Sequence, residues 1–504
     1  MNKVLTIISL LLLFSCKQNK NITKETSSFQ NLELKHLSIS ELNSDFDLLV
    51  SSLKEAHTGL YWYSTEKQFD SLVSVQRTLL KDNLNTLQFY NIVSPIVAFS
   101  KEDHCDVSLS DELNKILTEK GFFLPLIVTN LNQKPLILNQ PYKGLELIAI
   151  NGIKIEEIYH RIFNTFAADG FIISSKYRYL DLTGFSREYA KVIDQQEENT
   201  IITKDLSTGK VETHKLKSVS YKKLREHMAQ VFNENKIKEE IDEPAELKFQ
   251  NNNTAILTFT TFGNSDFEEY NMNFKKFVDS SFVEITERES KNLIIDLRDN
   301  GGGSEGNEDY LFSYLTEKPY TKYKHVELSK FSFSFLDFTD YSSIEDREEL
   351  ENELRAENKM VENGKIYRKE GLYIPEALKS NTFKGQVYIL TSGWTYSGGA
   401  EFSTLMKEHT KAIFIGEETG GGYYGNTSGT SLELTLPNTK LKIDIPILKF
   451  VLEVQKGKFG RGVIPDYEIQ PTFEEYINGY DAELEYAKRI IEERKTSYNS
   501  VYKK

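Results

Sequence analysis

Between Ala245 and Gly416 short apolar runs alternate with stretches of helical periodicity, and this alternation restricts the possible folds more than any other feature of the chain. Residues 255–259, 293–297, 387–391 and 412–416 are continuous apolar runs of strand length, while 267–286 and 400–409 carry the spacing of helices with one apolar face. A run that is apolar at successive positions is buried on both faces, which is the pattern of a mostly parallel sheet covered by helices. The expected fold class is therefore α/β. A late β-hairpin is expected from 432–436 and 441–445, with Pro437-Asn438 between them.

The preceding chain reads differently. From Glu41 to about Ser100, Leu42, Phe46, Leu49 and Leu53 recur at helical spacing, and Leu79, Leu84, Leu87, Phe89 and Val93 follow less regularly. Over 116–220 short apolar runs at 122–128, 136–138 and 145–150 take over, and Asn151-Gly152 after the last predicts a hairpin turn, followed by a helix over 155–163. Residues 220–245 are charged and helical in pattern. No internal repeat is present.

Hydrophobic residues make up 39% of the chain and charged residues 27%, enough for several cores in 504 residues. With 61 Lys+Arg against 75 Asp+Glu the net charge is −14 and no basic cluster offsets it, which argues against nucleic acid as a partner. At the N-terminus, Lys3 precedes an apolar run over 4–14 that is too short to span a bilayer. Leu13-Phe14-Ser15-Cys16 then resembles the lipobox of bacterial lipoproteins. That resemblance implies a signal peptide over 1–16, a lipid on Cys16, and an exported protein held to the membrane, in the periplasm or at the cell surface, by a polar tether over 17–40. The other cysteine, Cys105, is then left without an intrachain disulfide partner, and two cysteines cannot build a cysteine zinc site.

Chemistry concentrates in two segments. Thr391-Ser392-Gly393-Trp394-Thr395-Tyr396-Ser397-Gly398-Gly399-Ala400-Glu401-Phe402 lies between an apolar strand and a helix. A serine there stands at the carboxyl edge of the sheet, beside amides that open the helix and favour negative charge. The alternative is that Ser397 is only a helix cap. Leu293-Ile294-Ile295-Asp296-Leu297-Arg298-Asp299-Asn300-Gly301-Gly302-Gly303 is a buried strand entering a glycine turn. Gly301, Gly303 and Gly306 satisfy a dinucleotide-binding spacing formally. The charged residues at 296, 298 and 299 interrupt the strand such a site needs, and a turn whose amide donates to an oxyanion is the better reading.

Together these segments resemble the tail-specific (carboxy-terminal processing) serine proteases. Asp296 to Gly303 is similar to their "D-L-R-x-N-x-G-G" stretch, and Thr395 to Phe402 to their nucleophile segment. Ile415-Gly416-Glu417-Glu418-Thr419-Gly420-Gly421 is similar to "V-G-E-x-T-x-G", and Gly462-Val463-Ile464-Pro465-Asp466 to their closing "G-V-x-P-D". The resemblance implies a ClpP/crotonase-like catalytic domain over 246–490, an N-terminal helical domain over 41–115, a PDZ-like β-rich domain over 116–220 and a linker helix over 221–245. It also implies Ser397 as nucleophile, with Gly398 and, by alignment, Gly302 as oxyanion donors. The substrate would be a short peptide or unfolded protein, cleaved without metal or organic cofactor.

Many members of that family place a lysine base after "G-E-x-T". Here the stretch is Thr419-Gly420-Gly421-Gly422-Tyr423, which has none, and the pattern is closer to the tricorn-type relatives that use histidine. His104, in Asp103-His104-Cys105-Asp106, matches their position and is the expected general base. His57 is expected to pack at the end of the first helix, and His409 to point away from Ser397. The third group is open among Glu418, Glu453 and Asp466. Trp394, Tyr423 and Tyr424 line a pocket or belong to the core. Two other readings stand beside hydrolysis. One is a non-catalytic binder of peptides or apolar ligands on the same scaffold, as in the interphotoreceptor retinoid-binding proteins. The other is an α/β-hydrolase esterase, disfavoured because Thr395 occupies the first glycine of G-x-S-x-G and no suitable downstream histidine exists.

Overall fold

The computed structural model describes residues 32–237, 242–251 and 253–501, so Cys16 and its lipobox lie outside the described residues. At the centre is a six-stranded sheet in the order Ala245–Asn251, Thr254–Phe259, Asn292–Asp296, Gln386–Thr391, Ile413–Gly416, Tyr467–Glu468. The first pair is antiparallel and the rest are parallel, as the apolar runs predict. Both faces are buried. Leu257, Leu293, Ile295 and Ile389 pack with Phe274, Val278, Phe282 and Phe402 on one side. Ile294, Tyr388, Leu390 and Ile415 meet Ala487, Ile490 and Ile491 on the other. Each fully buried Leu, Ile or Phe contributes about 1.5–3 kcal/mol of transfer free energy, which is why the double-sided pattern dominates the fold.

Local detail departs from the sequence reading in two places. The single helix expected over 267–286 is two, Asn264–Glu269 and Phe274–Glu287. Asn271 takes a left-handed φ of 55° and Asn273 caps the second helix by accepting the Lys276 N–H at 3.1 Å, so the short polar side chains override the periodicity. The late hairpin is longer than expected: Gly425–Thr435 pairs antiparallel with Lys442–Leu452.

That hairpin anchors a second sheet, which includes Tyr323–Leu328 and a short strand, Val107–Ser108, paired with Lys442 and Ile443. The helices Ile39–Ala56 and Thr86–Val97 share its core: Leu42, Phe46, Leu49 and Leu53 pack in one cluster with Leu432, Leu434, Ile443 and Ile445. Consequently the loop over 101–106, which carries His104, is tied down at both ends. A third, antiparallel sheet spans Val128 to Lys217. Its Ile150–Ile153 turn holds Asn151 at φ 51° and Gly152 at φ 81°, the hairpin geometry that Asn-Gly favours. From the helix Ile155–Phe163 that follows, the chain runs into the loop 164–173, which reaches back to the rest of the molecule: the Gly170 N–H donates to Lys101 O at 2.9 Å and the Phe171 N–H to Gly460 O at 2.7 Å. Among the described residues no helix is long and apolar enough to cross a membrane.

Candidate active site

Ser397 opens the helix Ser397–His409 at the end of the strand Gln386–Thr391, and its φ of 45° is left-handed. For a residue with a Cβ that conformation costs of order 1–3 kcal/mol and persists only where surrounding contacts impose it. Those contacts are visible. The Tyr396 N–H donates to Asn300 O at 2.9 Å, Thr395 Oγ1 donates to Leu297 O at 2.7 Å, and the Gly421 N–H donates to Thr395 O at 3.0 Å. The nucleophile segment is thus clamped between the glycine turn and the 415–421 segment.

The glycine turn lies directly against the serine. Gly302 has φ 102°, and a Cβ placed on it would stand 2.6 Å from Ser397 Cβ, 2.8 Å from the Gly398 nitrogen and 3.0 Å from Ser397 Oγ. No other residue type fits both that backbone and that approach. The Gly302 N–H donates to Asn300 Oδ1 at 3.0 Å, and Gly302 O accepts from the Phe262 N–H at 2.6 Å, so the turn is rigid. The Gly398 N–H, in the first turn of the helix, belongs to the donors that have no partner within it.

The motif residues before the turn are structural. Arg298, buried, ion-pairs with Asp296 at 2.6 Å, Asp481 at 2.6 Å and Glu483 at 3.0 Å, pinning the turn to the C-terminal helix. Beneath the serine, the fully buried Lys322 Nζ pairs with Glu401 at 2.7 Å, with Asp309 at 3.1 Å and with Glu308. Glu401 lies one turn after Ser397, and Glu308 and Asp309 sit on the helix after the glycine turn, so one ammonium joins both halves of the site. Burial pushes the Glu308 carboxyl up to about 7.

His104 lines a cleft of 740 Å³ together with Asp103, Asp299, Gly301, Trp394 and Tyr396. The base expected from sequence and the residues flanking Ser397 and the glycine turn therefore face one cavity. Its Nδ1 is buried without a hydrogen-bond partner among the described residues. Burial lowers the His104 pKa below the ordinary imidazole value, opposed by the negative charges of Asp169 and Glu401. Asp103 hydrogen-bonds Tyr396 and is pushed up to about 8, mainly by burial and then by Asp169 and Asp106 nearby.

The remaining candidates lie elsewhere. His57 caps the first helix, buried, with Nδ1 accepting the Gly59 N–H at 3.0 Å. His409 packs at a tilt against Phe312 and Tyr320 and lines a separate cleft with Glu453. Glu418 is held by Arg461 and by the Gly462 N–H at 2.9 Å, and Asp466 pairs with Lys407 at 2.7 Å. Of the aromatics, Tyr423 is buried in the core of the parallel sheet, while Trp394 is 40% exposed on the cleft wall.

One buried acid was not singled out in the sequence. Asp169, 1% exposed, accepts the Asp103 N–H through Oδ1 and the Gly422 N–H through Oδ2, both at 2.9 Å. Its sequence signal is only an Ala-Ala-Asp-Gly turn, with nothing to connect it to a histidine 65 positions earlier.

Known proteins resemble this chain in sequence family and in fold. Residues 253–469 match the model of peptidase family S41. Among solved structures, mature CPAF complexed with lactacystin superposes with a TM-score of 0.59 at 13% identity, over 90% of this chain and 98% of that one. A serine-to-alanine mutant of CPAF gives 0.61 at 13% identity, over 90% and 97%. At such identity these superpositions speak for the fold alone, but the matched family segment contains Ser397, the glycine turn and the closing motif. Residues 253–469 thus form a peptidase family S41 domain, and the chain is a serine peptidase.

Proposed function

We propose that the chain hydrolyses peptide bonds of short or unfolded substrates with Ser397 as nucleophile and His104 as general base. The observation that carries this reading is the packing of Gly302 against Ser397 Oγ, at a helix N-terminus whose adjoining cleft is lined by His104. As Ser397 Oγ bonds to the substrate carbonyl carbon, its proton passes to His104. The carbonyl oxygen, now anionic, is met by the Gly398 N–H and by the Gly302 N–H, whose hydrogen is shared with Asn300 Oδ1. Collapse of the adduct breaks the C–N bond, and His104 returns the proton to the leaving amine. Water then attacks the acyl-serine with His104 again taking a proton, which returns to Ser397 Oγ as the acid product leaves. These steps use protein groups and water alone. A histidine with a lowered pKa is neutral at pH 7 and ready to accept.

The lysine base of many relatives has no counterpart here. Lys322 lies beneath the site but is enclosed by three carboxylates, which hold its pKa well above the ordinary value, so it stays protonated. We further read the module of 116–220 as PDZ-like, on its antiparallel sheet and following helix, and the chain as exported and lipid-anchored through Cys16, on the lipobox.

A fluorophosphonate probe tests the assignment, with the adduct located by peptide mass spectrometry. Labelling at Ser397, abolished in Ser397→Ala and slowed at least about tenfold in His104→Ala, is expected. Labelling elsewhere, or rates unaffected by His104→Ala, would remove the corresponding residue from the mechanism.

A further inference from the structure

We infer that Asp169 is the positioning residue for His104, so that the third member of the catalytic group comes from outside the peptidase domain. This rests on the reading of Ser397 and His104 given above.

The geometry is specific. The loop around Asp169 is stitched to the His104 loop by two hydrogen bonds, Gly170 N–H to Lys101 O and Asp103 N–H to Asp169 Oδ1, both 2.9 Å. The second oxygen of the same carboxylate accepts the Gly422 N–H at 2.9 Å. Gly422 follows Gly421, where a Cβ would stand 3.1 Å from the Ser397 nitrogen. One buried carboxylate therefore fixes the base loop and the segment against the nucleophile relative to each other. It also supplies a negative charge near an imidazole whose buried Nδ1 makes no hydrogen bond among the described residues. When Ser397 gives up its proton, the imidazolium formed in this buried setting needs such a charge. Two amide donors and the neighbouring imidazole oppose the burial that raises the Asp169 pKa.

The other nearby acids are committed. Glu401 acts on His104 from the nucleophile helix, but its oxygens are taken by Lys322 at 2.7 Å, Asn426 at 3.1 Å and Tyr323 at 3.2 Å. Glu102 accepts the Thr427 N–H at 2.8 Å and hydroxyl at 3.0 Å through Oε2; its Oε1 makes no hydrogen bond among the described residues, and burial raises its pKa well above the ordinary carboxyl value, so it supplies no charge. Asp103 is bonded to Tyr396 and raised to about 8, hence largely protonated at neutral pH. Asp106 lines the cleft on the exposed side of the loop, and Lys176, lowered to about 8 by burial, lies near Asp103 and is held by Phe163 and Phe166 carbonyls.

The test pairs kinetics with a direct titration. In Asp169→Asn, which keeps one acceptor, kcat should fall about 10²–10⁴-fold while KM changes less than about threefold. Asp169→Glu should recover part of that loss. In parallel, the His104 pKa is read by NMR with ¹³C-labelled histidine in the Ser397→Ala protein, where no activity is needed. Adding Asp169→Asn should lower it by about one pH unit. A kcat within threefold of wild type, or an unmoved His104 titration, overturns the inference. If Asp169→Asn fails to melt cooperatively, the titration in Asp169→Glu decides in the same way: a displaced value supports the pairing and an unmoved one overturns it. Loss of the peptidase reading would appear separately, as wild-type protein inert toward every peptide while the titration still shifts.

Discussion

At Ser397 the backbone conformation and the proposed chemistry are in conflict: a nucleophile needs a side chain where glycine would be relaxed. Ser397→Gly should therefore be inactive yet more stable to urea than Ser397→Ala by about 1 kcal/mol, because alanine keeps the left-handed strain and glycine releases it. Equal stabilities would mean that no strain is stored there. His104 makes a second prediction. Its folded pKa is lowered below 6.5, chiefly by burial, and in the proposed mechanism the base form is the active one. Activity should thus rise with pH through a value below 6.5 and be near its plateau at pH 7, as read from kcat/KM for the free enzyme. An acid limb centred above 6.5 would contradict that electrostatic account. At this scale the sequence sufficed to propose Ser397, His104 and the glycines, since each lies in a contiguous stretch with its own motif. Asp169 was not legible, because its contact with the His104 loop joins segments about 65 positions apart that meet only in space.

Among the elements, the glycine turn and the helix opened by Ser397 pack as a pair. Gly302→Ala would force a Cβ to 2.6 Å from Ser397 Cβ at a φ of 102°, so either the turn or the serine must move. A loss of about 10²–10³ in kcat is expected, the range for removing an oxyanion donor. A Gly302→Ala enzyme with wild-type kcat would show that the turn takes no part. The Lys322 cluster joins the same two elements from below. Lys322→Met leaves Glu308, Asp309 and Glu401 without their cation and should cost about 3–5 kcal/mol in urea unfolding at pH 7. The penalty should shrink as pH falls and Glu308, whose carboxyl burial pushes up to about 7, takes up a proton. Element boundaries show where sequence periodicity loses its force. The break at Asn271–Asn273 follows from two asparagine side chains and backbone preference, not from apolar spacing, and a pattern read over twenty residues passes across it.

At the scale of the whole molecule, the parallel sheet was the most legible part, because strands buried on both faces write themselves as unbroken apolar runs. The second sheet was far less so: Tyr323–Leu328, Gly425–Thr435, Lys442–Leu452 and Val107–Ser108 come from distant parts of the chain, and their alternating or polar positions resemble loops. That sheet, with the N-terminal helices packed into its core, carries the His104 loop toward the cleft. The architecture therefore divides the labour. In the proposed mechanism the family S41 domain supplies Ser397 and the oxyanion donors, while the base and the carboxylate proposed to position it come from preceding segments that fold against it. The most direct test of this account is digestion of unfolded casein and a peptide mixture by wild type, Ser397→Ala and His104→Ala side by side, with melting curves for each. Cleavage by wild type, abolished by both substitutions at unchanged melting temperature, is the predicted result. Cleavage that survives Ser397→Ala, or is untouched by His104→Ala, would contradict it.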